Sequence, residues 1–249
     1  MLWSFTRGSR RGTVDLIDRV PAVCADQLRA GAVDGALIPV IEYERIPNGV
    51  IVPNVCVGSR DRVRSVVLVT RTKELREVQR VALDESSRTS AALVKIIFRE
   101  FLGMDPEWSP RAPDIEQMLN DNDAALVIGD PAMNFARDRF YMFDLATLWR
   151  KHTGLGFVFA MWMISDQALD AVREVAFGAA RDEGIANIEA IIDSYEPILK
   201  LPRSELRTYL TENISFSPDE EMRAGMNLYF QLAFKHQLIP ALKPLVYCE

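Results

Sequence analysis

Five consecutive residues, Ser86-Ser87-Arg88-Thr89-Ser90, set four hydroxyls around one guanidinium directly after the apolar run Val81-Ala82-Leu83. An apolar pattern at helical spacing follows through Leu93, Val94, Ile96 and Ile97. A helix that opens on such a run has backbone N–H groups with no acceptor one turn back. They converge with the hydroxyls on one spot that attracts an anion. Arg88 sharpens this reading, because a cation in the first turn opposes the helix dipole. A bound carboxylate or phosphate would explain it, and Arg88→Ala is then expected to weaken ligand binding and leave folding intact. The plainer alternative is an ordinary N-cap, since Ser and Thr are favoured there for local reasons. On these residues alone both readings stand.

Three other stretches place polar groups at the ends of apolar runs: Ile38-Pro39-Val40-Ile41-Glu42-Tyr43, Arg60 to Ser65 leading into Val66, and Gly129-Asp130 after Leu126-Val127-Ile128. Such positions favour ligand contact in α/β proteins. Each also has a structural reading: Gly129-Asp130-Pro131 as a turn, Arg62 and Arg64 as a solvated face. The usual catalytic sets are missing. The two histidines, His152 and His236, belong to no metal-spacing motif. No nucleophile elbow, Walker loop or dinucleotide fingerprint occurs. Any reaction here is expected to proceed by positioning and electrostatic stabilisation, with no metal and no cofactor.

These groups need a scaffold, and the pattern supplies one. Strands are expected at Thr13 to Ile17, Gly35 to Pro39, Val50 to Gly58, Ser65 to Thr70, from Val81, at Ala124 to Ile128, Tyr141 to Asp144 and through the run Phe157 to Ile164. Helices are expected at Ala22 to Ala30, from Ser87, after Asp114, and at Leu145 to His152. Beyond Ser165 the pattern is helical only: one helix capped by Ser165, then Ile185 to Ile198, Ser204 to Leu210, and one started by Ser217-Pro218-Asp219-Glu220. Alternating strands and helices point to an α/β fold. The chain is expected to pass between two lobes at Thr70 to Glu74 and Phe157 to Ser165. One lobe would comprise 1–70 with 159–249, the other 71–158, with a ligand between them.

The chain has 249 residues and a net charge of −6, with no basic block, which argues against a nucleic-acid partner. Cys24, Cys56 and Cys248 form no C-x-x-C pair, so reduced thiols and a cytoplasmic setting are expected. No apolar stretch follows Arg7, Arg10 and Arg11 as a secretory leader would require, and no run is long enough to span a membrane.

Taken in order, these segments resemble the chorismate dehydratase family of the futalosine route to menaquinone. The matching stretches are Ala30-Gly31-Ala32-Val33-Asp34, Leu37 to Tyr43, Val63 to Leu68, Leu83 to Ser90, Ala124 to Ala132, Thr153-Gly154-Leu155 with Phe157 to Ala160, and Tyr209 to Ile214. The Ser86 to Ser90 element with its helix is the most specific. The resemblance implies a two-lobed fold like type II periplasmic binding proteins with a helical C-terminal segment. It implies loss of water from chorismate to give 3-[(1-carboxyvinyl)oxy]benzoate. It also implies Ser86, Arg88 and Asp130 as the catalytic set, with Pro39, Tyr43, Ser65, Ser87, Thr89, Ser90 and Gly129 contacting substrate. The proton acceptor would be the substrate's own enolpyruvyl carboxylate, since the matched motifs hold no obvious base. Two departures stand out. The family begins with a strand and an Asn-bearing loop, whereas Met1-Leu2-Trp3 reads as starting beyond that loop. Gly156 stands where the family tends to have proline, which should loosen a turn without abolishing the site. Two alternatives on the same fold are a non-catalytic small-anion binder and the related 1,4-dihydroxy-6-naphthoate synthase.

Overall fold

Val66–Thr70 and Ala124–Ile128 are almost wholly apolar, as strands covered on both faces must be, and they lie inside the larger of two sheets. The computed structural model describes residues 1–248. Its strands are β1 (Gly35–Pro39), β2 (Gly49–Ser59), β3 (Val66–Thr70), β4 (Arg80–Asp84), β5 (Glu107–Arg111), β6 (Ala124–Ile128), β7 (Tyr141–Asp144) and β8 (Phe157–Ser165). One sheet has the order β1-β8-β2 and is antiparallel throughout; the other runs β5-β4-β6-β3-β7. In the second, β4 lies parallel to both β5 and β6, while β3 is antiparallel to both β6 and β7.

The helices are α1 (Trp3–Thr6), α2 (Pro21–Arg29), α3 (Arg88–Ile96), α4 (Ile115–Asp121), α5 (Gly129–Met133), α6 (Leu145–Thr153), α7 (Leu169–Val172), α8 (Phe177–Ala186), α9 (Ile188–Leu199), α10 (Arg203–Thr208) and α11 (Glu220–Lys235). A π-helical stretch, Tyr209–Asn213, continues from α10. The caps follow from the side chains. Asp114 accepts from the Gln117 N–H, and Gly154 closes α6 in the left-handed region at φ 72°. At α11 the cap is Asp219, which accepts from the Met222 N–H, two residues later than Ser217-Pro218 suggests.

The expected lobe boundary at residue 70 falls one strand late. β3 pairs along its length with β6 and also with β7, so the chain has already entered the five-stranded sheet at Val66. The crossing is therefore Arg60 to Ser65, and the return precedes Phe157, because the whole Phe157–Ser165 segment is β8. Thr13 to Ile17 forms no strand, and among the described residues β1 pairs with β8 alone. The helix expected after Ser165 breaks into short turns before α8.

A single apolar cluster runs through both sheets, joining Ile38 and Ile41 to Leu68, Leu83 and Leu93. Its aromatic centre is Trp149, Phe157 and Tyr229, all edge-to-face within 6.5 Å. Trp149 donates to the Gly156 carbonyl at 3.2 Å, under Gly225 of α11. A Cβ on Gly156 would meet Met222 Cγ at 2.6 Å, so the methionine fills the space a proline would need.

Candidate active site

A cavity of about 750 Å³ opens between the two sheets, within the usual range of about 300–1,000 Å³ for small-molecule sites. Pro39 at the end of β1 and Phe159 of β8 form part of one wall. Ser65, Ile128 and Gly129 form part of the other, and Ser86 to Ser90 line the cavity between them.

The turn into α3 is folded by Asp84. Its buried carboxylate accepts from the Ser86 N–H at 2.9 Å, the Ser86 hydroxyl at 2.6 Å and the Ile128 N–H at 3.3 Å. This ties β4 to β6 and commits the Ser86 proton to Asp84. Ser87 caps α3 without a side-chain bond. The amides of Arg88, Thr89 and Ser90 take no acceptor, and the hydroxyls of Ser87 and Ser90 have no protein partner among the described residues. Thr89 braces the helix: its hydroxyl accepts from the Ile41 N–H, and its carbonyl accepts from the Tyr229 hydroxyl at 3.0 Å. The result is a group of neutral donors held rigid from behind, as anion binding at a helix start requires.

Arg88 does not stand free. Its guanidinium grips Asp26 of α2 through two bonds, at 3.0 and 2.7 Å, and Glu42 at 3.0 Å. Glu42 is fully buried, and its other oxygen takes Arg45 at 2.6 Å. The arginine beside Asp26 holds that carboxyl below the usual aspartate range. A cation in the first turn of α3 is thus explained by two carboxylates of this chain, and the ligand reading of Arg88 loses its motive. Asp26 and Glu42 precede Arg88 by 62 and 46 residues, a separation no local pattern reveals.

Tyr43 leaves the site altogether. It is buried, donates to the Pro244 carbonyl at 2.6 Å and accepts from the Val246 N–H at 2.9 Å, pinning the C-terminal segment. Asp130 is exposed at the start of α5, outside the lining, and its side chain has no hydrogen-bond or ion-pair partner among the described residues. Gly129 does line the cavity. It sits at φ 64°, where a glycine is needed, and its N–H donates to the Ser65 carbonyl at 2.8 Å. His152 stacks flat on Phe101 at 4.6 Å, and His236 meets Glu100 at 2.8 Å. Neither lines the cavity.

Three parts of the lining were not among the expected site residues. Phe159 is inside β8. The segment Thr13 to Arg19 lies along the cavity as exposed coil. Tyr209 reaches the lining from the π-helical stretch and donates to the Ser65 hydroxyl at 3.0 Å. Its place in the Tyr209 to Ile214 match was the available signal. Among the described residues no group of three or more His, Cys, Asp or Glu side chains is arranged to hold a metal, and no helix is long and apolar enough to cross a membrane.

A family profile described as menaquinone biosynthesis matches residues 1–235. The chain is 28% identical to a chorismate dehydratase of Thermus thermophilus over 238 residues, covering 86% of this chain and 84% of that one. A crystal structure of an Archaeoglobus fulgidus protein superposes with a TM-score of 0.72 at 18% identity, covering 96% of this chain and 93% of that one. The periplasmic aliphatic sulphonate binding protein of Escherichia coli superposes with a TM-score of 0.60 at 14% identity, covering 93% and 82%. The fold is that of the periplasmic binding proteins.

Proposed function

The chain belongs to the menaquinone biosynthesis family, and from that premise we propose that it is a hydro-lyase converting chorismate to 3-[(1-carboxyvinyl)oxy]benzoate and water. The observation that carries the reading is the set of unpaired amides and hydroxyls at the start of α3, opening into the interlobe cavity. Chorismate has two carboxylates, and one of them fits this cradle of neutral donors. In the reaction the bond to the ring hydroxyl breaks, a neighbouring C–H bond breaks, and the ring becomes aromatic. The protein's task is to hold the carboxylate and stabilise the charge that develops on the departing oxygen.

The proton acceptor is the substrate's enolpyruvyl carboxylate. The state of the protein's own acids supports this reading. Glu42 is locked between Arg45 and Arg88, and Asp84 already accepts three donors. Glu85 and Asp130 are exposed and off the lining. The lining carboxylates Asp15, Asp18 and Asp34 lie on exposed segments. Incubation with chorismate, with product separated by liquid chromatography, tests the assignment. Formation of 3-[(1-carboxyvinyl)oxy]benzoate is expected; ligand binding without product would leave an anion-binding role instead. Loss of turnover with binding intact in Asp15→Asn, Asp18→Asn or Asp34→Asn would identify a protein base.

A further inference from the structure

The wall that carries Ser65 holds a second polar element that the carboxylate cradle does not use. Tyr209 donates its hydroxyl proton to Ser65 Oγ at 3.0 Å. That bond occupies a lone pair of the serine and leaves the serine's own proton without an acceptor among the described residues. Ser65 and Tyr209 both line the cavity, so the serine proton is available to an oxygen placed there. Hydrogen bonds in series polarise one another, so a serine that receives one donates a stronger one.

The surroundings hold this pair in place at some conformational cost. Arg64, the residue before Ser65, has φ 64°, a left-handed conformation that a residue with a side chain seldom adopts. It is stabilised from two sides. The Arg64 N–H donates to the Asp144 carboxylate at 2.6 Å, and the Arg64 guanidinium pairs with Glu205 of α10. The Gly129 N–H fixes the Ser65 carbonyl. Tyr209 begins a π-helical stretch, a departure from regular helix that is frequent where function demands a particular side-chain placement. Burial pushes the Tyr209 phenol above its ordinary value, so it remains a donor at neutral pH. Backbone strain next to one partner and an irregular helix at the other converge on a single hydrogen bond, the kind of outlier that motivates a functional assignment.

We propose that Ser65 donates a hydrogen bond to the departing ring hydroxyl, and that Tyr209 is the positioning residue that orients and polarises Ser65 for it. The proposal rests on the dehydratase reading. No proton is consumed from the pair: the C–O bond breaks with its electron pair going to oxygen, and the proton removed from the neighbouring carbon completes the water. Ser65 and Tyr209 end the cycle as they began, having stabilised charge on the leaving oxygen.

Steady-state kinetics of Tyr209→Phe, Ser65→Ala and the double variant test this, alongside thermal melts. Tyr209→Phe should lower kcat about tenfold, the worth of one hydrogen bond, with KM within about twofold and melting unchanged. Ser65→Ala should lower kcat at least as far, and the double variant should be no slower than Ser65→Ala, because Tyr209 acts through the serine. A Tyr209→Phe variant with parental kcat, or a double variant in which the two losses multiply, overturns the proposal while the dehydratase assignment stands. Absence of product from the unsubstituted chain overturns both.

Discussion

Arg88→Ala is the substitution that best separates the structural account of the Ser86 to Ser90 element from a ligand-binding one. If Arg88 existed to hold a ligand carboxylate, its removal would leave folding intact. The structure requires otherwise. Glu42 has no solvent exposure and depends on two guanidinium groups, Arg88 at 3.0 Å and Arg45 at 2.6 Å. A hydrogen bond to a charged group is worth about 1.5–3 kcal/mol. Leaving a buried charge wholly unpaired costs about 3–5 kcal/mol. Arg45 remains, so the loss at Glu42 falls near the lower range. The Asp26 carboxylate is 42% exposed, and a pair of that kind adds less than about 1 kcal/mol. The total is about 2–3 kcal/mol, which for a chain of this size lowers the melting temperature by about 4–12 °C.

Differential scanning fluorimetry reads that shift, and a double variant locates its cause. Glu42→Gln removes the charge that Arg88 neutralises, so Arg88→Ala with Glu42→Gln should melt above Arg88→Ala alone. An Arg88→Ala protein that melts with the parent would refute the reasoning, because Glu42 would then need no second cation. So would a double variant less stable than both single ones by their full sum.

Gly225→Ala should destabilise by at least about 1–3 kcal/mol, since the added Cβ would lie 2.0 Å from the Gly156 carbonyl oxygen. Gly178→Ala, in α8 with nothing within 4 Å, is the control and should melt at or above the parent. Below neutral pH, Glu100 matters. Lys235 and then His236 hold its carboxyl below the ordinary 4.5, so the stability it contributes is present above pH 4.5 and is lost as the pH falls further. Urea midpoints should therefore fall less steeply with acidification in Glu100→Gln than in the parent; equal slopes would remove Glu100 from the account.

Much of the scaffold was legible because burial on two faces writes itself into composition. Val66–Thr70, Ala124–Ile128 and Phe157–Ser165 are apolar nearly end to end, and each is a paired strand. β5 was not legible: Glu-Trp-Ser-Pro-Arg is polar and carries a proline, and it forms a strand at the sheet edge through backbone pairing to β4. Thr13 to Ile17 has the alternation of a strand and forms none, because alternation needs a neighbouring strand to pair with and none lies beside it among the described residues. At the site, the hydroxyl run and Gly129 could be read locally. The partners of Arg88, and the burial of Tyr43 against Pro244 and Val246, could not, since both depend on contacts between distant segments.

The pairing of Arg88 also changes what should govern ligand capture. Arg29, Arg45 and Arg88 stand against Asp26 and Glu42 in one cluster, so little positive charge is left over beside the cavity. The exposed cavity side carries Asp15, Asp18 and Asp34 against Arg19, and the whole chain has a net charge of −6. On the dehydratase reading, the anionic substrate approaches a surface of its own sign and would be held by neutral dipoles once inside. Salt screens the long-range repulsion, with a Debye length of about 30 Å at 0.01 M and about 10 Å at 0.1 M. It acts less on short hydrogen bonds made inside the cavity. The KM for chorismate should stay level or fall as sodium chloride rises from about 0.01 to about 0.2 M, over which the screening length shortens severalfold. A site built on a free arginine would behave in the opposite way, weakening as salt competes for the guanidinium. A KM that rises severalfold over that range would therefore mean that Arg88, or another cation of the lining, meets the substrate directly.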